Sequence, residues 1–207
     1  MKNEEIKNRY YMFNKPRGCV TARRDARHRT VMDYFPEELR DVIFPIGRLD
    51  KDTEGLLILT DDGMLVNRLM QPNRHVKKTY YFHAQGIPSA ARLSELSVGV
   101  HIYEGSDFLT APAEVEILGH STLRGIRYLL SDTDESLANR RGDVPTTEGR
   151  ITITEGKKHQ VKRMIRYAGA KVLYLKRLSI GSLTLDGALS VGEYRELTSS
   201  ELDLLIK

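Results

Sequence analysis

The segment from Ile46 to Gly63 restricts the fold of this chain more than any other part of the sequence. A polar turn that closes on Gly55 is followed by the unbroken apolar run Leu56–Leu59, which has the length of a strand. Consecutive apolar positions over so short a run favour a buried strand over an amphipathic helix. Asp61 and Asp62 then form a second acidic turn before a helix-like segment. The segment is therefore predicted to place acidic turns at both ends of one buried strand.

Length and composition bound the class of protein. A chain of 207 residues with 40% hydrophobic content can bury one sizeable core, which predicts one domain or two tightly joined lobes. No run approaches 18 apolar residues and the N-terminus is polar, so neither membrane insertion nor secretion is predicted. The one cysteine, Cys19, fits a reducing cytoplasm, and the six scattered histidines give little support to a zinc site.

Charge is distributed in blocks along the chain, although the net charge is only +4. Residues 1–30 carry nine Lys and Arg against three acids, residues 31–65 carry three against nine, and residues 137–178 carry eleven against three. Basic blocks that converge in space form the positive face of a polyanion-binding protein. The alternative is a solvated mosaic of charges, and charge alone does not decide between the two.

Hydrophobic periodicity and turn residues predict a mixture of strands and short helices. Strands are predicted over Tyr10–Asn14, Leu56–Leu59, Lys77–Ala84, Val100–Tyr103, Ala113–Leu118, Gly125–Leu130 and Arg150–Thr154, with two more around Gly181. Helices are predicted over Val31–Phe35, Met64–Met70, Pro88–Leu96, residues 159–168 and Thr198–Ile206. Residues 1–9 are predicted to be a flexible tail, Thr21–Thr30 a basic loop and Ser131–Gly149 a long surface excursion. The basic loop fits either phosphate contact or simple solvation.

The predicted helix that starts near His159 has two adjoining stripes of opposite character. Both stripes repeat at the i, i+3, i+4, i+7 spacing of one helix face. The basic stripe is His159, Lys162, Arg163 and Arg166, and the apolar stripe is Val161, Met164, Ile165 and Ala168. One face is thus expected to pack on the core and the other to meet phosphates, with a solvated helix face as the alternative.

Asp50 is the strongest candidate for a reactive group among the acidic residues. It lies just before the buried strand and just after Arg48, where a side chain can be held rigidly and still face a cleft. The alternative is an ordinary turn aspartate, since short polar side chains are common in turns. Asp52, Glu54, Asp61 and Asp62 add enough carboxylates for a magnesium site, but such spacings in turns are common.

Two adjacent tyrosines follow two lysines in the third predicted strand. Tyr80 and Tyr81 alternate sides of the strand that begins with Lys77 and Lys78, so one can be core and the other can face a groove. An exposed tyrosine beside lysines suits base stacking together with phosphate neutralisation. Two tyrosines packed within the sheet are an equally good interpretation.

Taken together, these stretches resemble the signature of the RsuA-type ribosomal RNA pseudouridine synthases. The resemblance covers about residues 10–198 and several motifs in the family's order. The motifs are Asn14-Lys15-Pro16, Gly47-Arg48-Leu49-Asp50 with Thr53 and Gly55, Leu56 to Gly63, Lys78-Thr79-Tyr80, Glu155 to Met164, Arg177 with Ile180-Gly181, and Gly192 to Arg195.

The resemblance implies an α+β pseudouridine synthase fold, with a central mixed, mostly antiparallel sheet, flanking helices and a catalytic cleft. It implies an isomerase that breaks the glycosidic bond of one uridine, rotates the base and rejoins it through carbon. It also implies that neither a cofactor nor a metal is required. The expected partner is ribosomal RNA, 23S or 16S, free or in a pre-ribosomal particle. The protein is expected to be a cytoplasmic monomer that does not bind membranes.

Roles are carried over from the family to the matching residues. Asp50 is the expected essential carboxylate, and whether it attacks the sugar or the base first is left open. Tyr80 is expected to stack on the flipped uracil and help to remove a proton from its carbon. Lys162 is expected to pair with Asp50 and hold it ionised. The expected RNA-binding residues are Arg48, Lys15, Lys77, Lys78, His159, Gln160, Arg163 and Arg166.

Two departures from the family's pattern leave the target RNA open. Most members carry a small RNA-binding domain before the catalytic one, whereas here residues 10–207 are expected to form a single catalytic domain without it. The excursion at 131–149 is similar to that of the family branch that acts on the large ribosomal subunit. The sequence of His159–Met164 is similar to that of the small-subunit enzymes. Two rival functions remain: a non-catalytic RNA-binding ribosome-assembly factor, and a magnesium-dependent nuclease or phosphohydrolase that uses Asp50, Asp52 and Asp61.

Overall fold

The computed structural model describes residues 8–71, 74–103, 107–131, 135–136, 139 and 143–206. It divides the chain into two compact units, the first made of residues 1–75 and 179–207 and the second of residues 76–178. The strands of the described residues are β1 Tyr10–Lys15, β2 Phe44–Ile46, β3 Glu54–Thr60, β4 Lys78–Gln85, β5 His101–Ile102, β6 Phe108–Leu109, β7 Glu114–Thr122, β8 Pro145–Ile153, β9 Lys171–Ile180, β10 Leu183–Thr184 and β11 Tyr194–Glu196. The helices with described bounds are α1 Glu37–Arg40, α2 Gly63–Met70, α3 Ala90–Glu95, α4 Gln160–Tyr167 and α5 Ser199–Ile206, with 3-10 helices at Val31–Tyr34 and Arg127–Leu129.

The first unit is built around the antiparallel pairing of β1 with β3. β11 pairs with the other edge of β1, and β2 also pairs with β3, both in antiparallel register. Met12 of β1 lies opposite Ile58 of β3. All four residues of the run Leu56–Leu59 are completely buried. The strand predicted from this apolar run is therefore confirmed, and it is covered on both faces, as its lack of alternation requires.

A side-chain cap begins helix α2 of the first unit. The Asp62 carboxylate accepts hydrogen bonds from the backbone N–H groups of Met64 and Leu65, which begins α2 where the sequence predicts it. Leu65 and Leu69, one turn apart, are the buried residues of α2. The turn that carries Asp50 thus leads into β3, and β3 leads directly into a capped helix.

The second unit contains a sheet with the strand order β9-β4-β8-β7. β8 is antiparallel to both β4 and β7, while β5 and β6 form a separate two-stranded hairpin. In β4, Tyr80, Phe82 and Ala84 are buried at alternate positions and share one face of the sheet.

The predicted strand over Gly125–Leu130 is wrong. The segment forms turns and the 3-10 helix Arg127–Leu129. Ile126 and Leu130 are its buried residues, and they form one small apolar cluster with Leu123, which precedes the segment. Their spacing of three and four residues follows helical turns, whereas a strand would place alternate residues on one face.

The predicted excursion at 131–149 is wrong in its last part, because β8 begins at Pro145. Thr146 and Thr147 are completely buried within this strand. The rest of the excursion lies partly, and the predicted tail mostly, outside the described residues. No helix in the described part of the chain has the length and apolar character needed to span a membrane.

Candidate active site

Asp50 lies in a turn between β2 and β3 that buried neighbours hold on both sides. Leu49 is 5% exposed and Thr53 is 1% exposed, while Asp50 between them is half-buried and Arg48 is exposed. Gly47 begins the turn with φ +70°, and a Cβ at this position would lie 3.2 Å from the sulfur of Met70. The turn is therefore anchored by apolar packing and presents only its polar side chains.

Lys15 supports the main chain of this turn through hydrogen bonds. Its side chain is completely buried, and its Nζ donates to the carbonyl oxygens of Pro16 at 3.0 Å, Asp50 at 3.1 Å and Thr53 at 2.9 Å. Burial lowers the pKa of Lys15, and the nearby acidic groups act in the opposite direction. An ammonium enclosed by three carbonyls takes no part in a surface open to RNA. The geometry gives Lys15 a positioning role instead of the predicted RNA contact.

Thr21 holds the same turn from the other side, which sequence reasoning missed. Its hydroxyl donates to the Leu49 carbonyl at 2.8 Å and accepts from the Leu49 N–H at 3.1 Å. The N–H of Gly18 donates to the Lys51 carbonyl at 2.8 Å. The chain that follows β1 is therefore hydrogen-bonded to the Asp50 turn at two places, Leu49 and Lys51. No local signal marks Thr21, because its partner is 28 residues away in the sequence.

Tyr80 and its flanking lysines lie at the start of β4 in the second unit. Tyr80 is 7% exposed. Lys78 donates to the Val76 carbonyl at 3.0 Å, and burial together with the charge of Arg177 lowers the pKa of Lys78. Lys77 is exposed and forms an ion pair of 2.8 Å with Glu114. The two lysines therefore differ: Lys77 faces solvent and Lys78 is half-buried.

Helix α4 has the predicted apolar and basic stripes. Val161, Met164, Ile165 and Ala168 are buried. Lys162 and Arg163 are half-buried and Arg166 is exposed. His159 departs from the predicted stripe, because it precedes the helix in a left-handed conformation with φ +52°.

Gln160 is buried at the start of α4 and orders the loop before it. Its side-chain oxygen accepts from the N–H of Lys157 at 2.9 Å, and its Nε2 donates to Glu155 at 2.6 Å. Glu155 in turn accepts the N–H of Ala111 at 2.8 Å, which ties the same loop to residue 111. Gln160 is only 3% exposed, and these bonds use its side chain to order the loop before the helix; its RNA contact stays a prediction.

The predicted catalytic residues belong to both units. Asp50 is a residue of the first unit, and Tyr80 and Lys162 are residues of the second. Lys15 and Arg48 are also in the first unit, and the remaining predicted RNA-binding residues are in the second. Within the described residues, no group of three or more His, Cys, Asp or Glu side chains is arranged to hold a metal ion.

A partly buried network of hydrogen-bonded polar side chains lies on the face of β4 opposite Tyr80. The Tyr81 hydroxyl donates to Glu148 at 2.7 Å and lies 2.6 Å from Nε2 of His83. A tyrosine that donates to a carboxylate accepts from its second partner, so Nε2 of His83 carries the proton. Burial and the hydrogen bond to Glu148 raise the pKa of Tyr81, and burial lowers the pKa of His83. The sequence analysis did not identify this network.

His83 is expected to make stability depend on pH. Above about pH 6.5 it is neutral in both the folded and the unfolded protein; below that value the unfolded chain takes up a proton that the folded protein resists. The free energy of unfolding is then expected to fall by up to about 1.4 kcal/mol per pH unit, until the pH drops below the lowered pKa. Urea denaturation between pH 7 and 5 should show a smaller fall of the unfolding free energy with pH in His83→Gln than in the wild type, because glutamine does not titrate. Glutamine can still donate to Tyr81, so the hydrogen bond is kept. His120→Gln, at an exposed position, is the matched control, and an unchanged slope in His83→Gln contradicts the prediction.

Comparison with known proteins places the site in a family. The model of the RNA pseudouridylate synthase family matches residues 9–167. The chain belongs to this family. It is an RNA pseudouridine synthase, an isomerase that acts on RNA, and the predicted family, enzyme class and fold class are confirmed.

Individual relatives of this synthase cover nearly the whole chain. It is 46% identical over 95% of its length to "Uncharacterized RNA pseudouridine synthase YtzG" of Bacillus subtilis, covering 72% of that protein. It is 36% identical over 94% of its length to "Ribosomal small subunit pseudouridine synthase A" of Pseudomonas aeruginosa, covering 73% of that protein. A solved pseudouridylate synthase structure superposes with a TM-score of 0.77 at 34% identity, over 96% of this chain and 74% of the other.

Proposed function

We propose that this synthase converts one specific uridine of ribosomal RNA to pseudouridine, and that small-subunit RNA is its substrate. The observation that carries the proposal is the 36% identity, over 94% of the chain, to a relative named for the small ribosomal subunit. A second relative with that name, from Haemophilus influenzae, is 36% identical over 96% of the chain. The substrate is then 16S RNA, free or in a pre-ribosomal particle, and 23S RNA is the alternative.

In this proposal the three catalytic residues divide the chemistry between them. The glycosidic bond breaks, the uracil rotates, and a bond forms between the sugar and a uracil carbon. That carbon loses a proton and the ring nitrogen released from the sugar takes one up, so that substrate and product have the same atoms. Asp50 supplies the essential carboxylate. Lys162 is its cationic partner, and Tyr80 stacks on the uracil and assists proton removal. The reaction needs no redox partner, because substrate and product are isomers.

The substrate uridine has to leave the RNA stack before the glycosidic bond can react. Extrusion costs a few kcal/mol, which stacking against an aromatic side chain helps to offset. We assign this stacking to Tyr80. We also propose that Arg48 reaches towards the gap that the flipped nucleotide leaves in the RNA. Arg48 suits this role because it is exposed two residues before Asp50, in the same anchored turn.

Contacts with the RNA backbone fall to the basic residues that face solvent. Arg166, Lys77 and His159 are exposed, and Lys78 and Arg163 are half-buried. Backbone contacts fix the register of a nucleic acid without reading its sequence. We therefore assign these five side chains to positioning the RNA.

The basic loop of the first unit is a further candidate for phosphate contact. The backbone bonds between Val20 and the residues Arg29 and Val31 close its base, and Asp25 accepts the N–H groups of Arg27 and His28. The loop is thereby held in one conformation, and its arginine side chains are exposed. A preorganised loop loses less entropy on binding than a flexible one, which favours phosphate contact over simple solvation.

The setting of the proposed reaction follows from its substrate. We propose that residues 10–207 act as one catalytic domain, that the protein works as a monomer, and that it acts in the cytoplasm with the ribosome. The rival hypothesis, a non-catalytic ribosome-assembly factor with the same fold, does not fit a member of this enzyme family. Asp50, Tyr80 and Lys162 at the positions of the family's catalytic residues argue for the enzyme.

Pseudouridine mapping tests the proposal. Carbodiimide mapping of 16S and 23S RNA from cells with and without this protein is expected to show the loss of one modification, in 16S RNA. Purified protein should restore that modification to RNA from the deficient cells, either naked or in assembled particles. A site in 23S RNA would reassign the substrate. If the two maps are identical and the purified protein modifies neither RNA, ribosomal RNA is not the substrate.

Lys162→Ala is expected to reduce kcat by roughly 100-fold while RNA affinity changes little. The substitution removes the proposed cationic partner of Asp50, and Lys162 is a half-buried residue of α4. Single-turnover rates and filter binding with the RNA from deficient cells separate the two effects. Lys162→Arg should recover most of the rate because it keeps a cation. Lys158→Ala, an exposed neighbour, serves as the control, and a near-normal rate for Lys162→Ala rules out the pairing.

A further inference from the structure

The β5–β6 hairpin of the second unit turns one of its two faces towards helix α4. Phe108 of β6 pairs with Ile102 of β5, and residues directly opposite in an antiparallel pair share one face of the hairpin. Ile102 is 4% exposed, and β5 lies next to α4. The neighbouring pair, His101 and Leu109, is exposed on the other face. Phe108 therefore lies on the face that meets the helix.

Lys157, in the loop before α4, fastens this hairpin through main-chain and charged contacts. Its Nζ donates to the Leu109 carbonyl at 2.6 Å and lies 3.2 Å from the Glu155 carboxylate. Glu155 also accepts the N–H of Ala111, just after β6. None of these contacts uses the side chain of residue 108. The hairpin is therefore expected to stay in place when that side chain is changed.

The Phe108 ring contacts the guanidinium of Arg163 in α4. The guanidinium carbon lies 4.6 Å from the ring centroid, which is the geometry of a cation–π contact. The ring has no net charge, so this contact restricts the arginine side chain without neutralising it. A long side chain that is restricted before a ligand arrives loses less entropy on binding. The contact therefore suits an arginine that binds an anion.

We propose that Phe108 is a positioning residue, which holds Arg163 in the orientation that binds a phosphate of the substrate RNA. This proposal rests on the proposed function, in which Arg163 contacts the RNA backbone, and it names the β5–β6 hairpin as the element that prepares this contact. Arg163 directly follows Lys162 in α4. A phosphate bound at Arg163 thus fixes the RNA close to the proposed catalytic lysine.

RNA binding by the full chain tests the role of Phe108. Filter binding of ribosomal RNA from deficient cells should be roughly tenfold weaker for Arg163→Ala and roughly fivefold weaker for Phe108→Leu. The double variant should bind no more weakly than Arg163→Ala, because Phe108 acts through Arg163. The Phe108→Leu deficit should shrink about threefold between about 50 and 200 mM salt, since one lost phosphate contact lowers the salt slope by about 0.7–0.9. A purely structural role would not produce this salt dependence.

Two further variants separate the ring from the hairpin as a whole. Phe108→Tyr should bind as the wild type does, because it keeps the ring. Leu109→Ala is the matched control and should leave RNA affinity unchanged, since Leu109 is 56% exposed and its main-chain carbonyl still accepts from Lys157. A thermal melt checks that Phe108→Leu folds normally. If it does not, Phe108→Met, which keeps more of the side-chain volume, takes its place.

Two outcomes overturn the proposal. Wild-type affinity in Phe108→Leu or in Arg163→Ala would show that the ring does not prepare an RNA contact. Effects of the two substitutions that multiply in the double variant would show that Phe108 acts independently of Arg163. Binding is measured without turnover, so either outcome can occur in a protein that still makes pseudouridine. Failure of the proposed function would instead leave ribosomal RNA unmodified by the wild type.

Discussion

Asp50→Asn is expected to abolish pseudouridine formation, with a loss of roughly 10³-fold or more, while RNA binding stays close to that of the wild type. Asparagine has nearly the same shape as aspartate but lacks the carboxylate that the proposed reaction requires. The turn should keep its conformation, because its support comes from contacts with main-chain atoms. Lys15 and the Thr53 N–H both reach the carbonyl of residue 50.

Mass spectrometry of RNA from deficient cells, treated with purified variant, measures the effect. Asp52→Asn, in the same turn and exposed, is the matched control and should retain activity. Modified uridine in the RNA treated with Asp50→Asn would remove Asp50 from its proposed role. If Asp52→Asn and Asp61→Asn were equally inactive, and EDTA stopped an RNA cleavage activity, the rival metal-dependent nuclease would replace the synthase.

Lys15→Met is expected to lower the free energy of unfolding by roughly 3–5 kcal/mol. Methionine fills a similar volume but leaves three carbonyl groups in a buried site without the ammonium that binds them. Urea denaturation measures the loss. At a temperature where the variant is still folded, kcat should fall more than RNA affinity, because the Asp50 turn loses its support.

Lys51→Met is the matched control for this substitution. Lys51 lies in the same turn and its side chain is exposed, while its main-chain carbonyl still accepts the Gly18 N–H. It should change stability by less than about 0.5 kcal/mol. If Lys15→Met were as stable as the wild type, the three hydrogen bonds would not support the turn. If it were destabilised but fully active when folded, Lys15 would be structural without positioning Asp50.

The strand and helix patterns with one strong period were predictable from the sequence. The run Leu56–Leu59 has no alternation, and the structure buries it on both faces of the sheet. Helix α4 has a sharp boundary between apolar and basic positions, and its buried apolar residues Val161, Met164 and Ile165 belong to the predicted apolar stripe. In both cases local periodicity and tertiary burial agree, so the local pattern is sufficient.

The predictions failed where tertiary contacts decide the conformation. At Gly125–Leu130 the apolar residues suit either a strand or a helical turn, and the turn lets Ile126 and Leu130 pack together against Val144 and Leu173. At Pro145–Gly149 small polar residues resemble a loop, but pairing of β8 with β4 and β7 draws them into the sheet. Neither neighbour is visible from the local sequence.

Lys15 shows the same limit at the site. A lysine beside proline after a strand suggests an exposed cation, and the family's motif places it near RNA. Lys15 is buried because its ammonium binds the carbonyl oxygens of Asp50 and Thr53. These residues lie 35 and 38 positions later in the sequence. The sequence identifies Lys15 as important, but only the three-dimensional arrangement distinguishes a support for the main chain from a contact with the substrate.

The Asp50 turn is supported through its main-chain atoms. The side chain at position 50 can therefore be replaced without changing the conformation of the turn. The carbonyl that Lys15 binds is present whatever side chain residue 50 carries. An Asp50→Ala variant should therefore remain folded and bind its RNA without converting it, which makes it a bait for isolating the natural target from cell extracts. Asp50→Cys would place a thiol at the same point, where a reactive uridine analogue could be captured covalently.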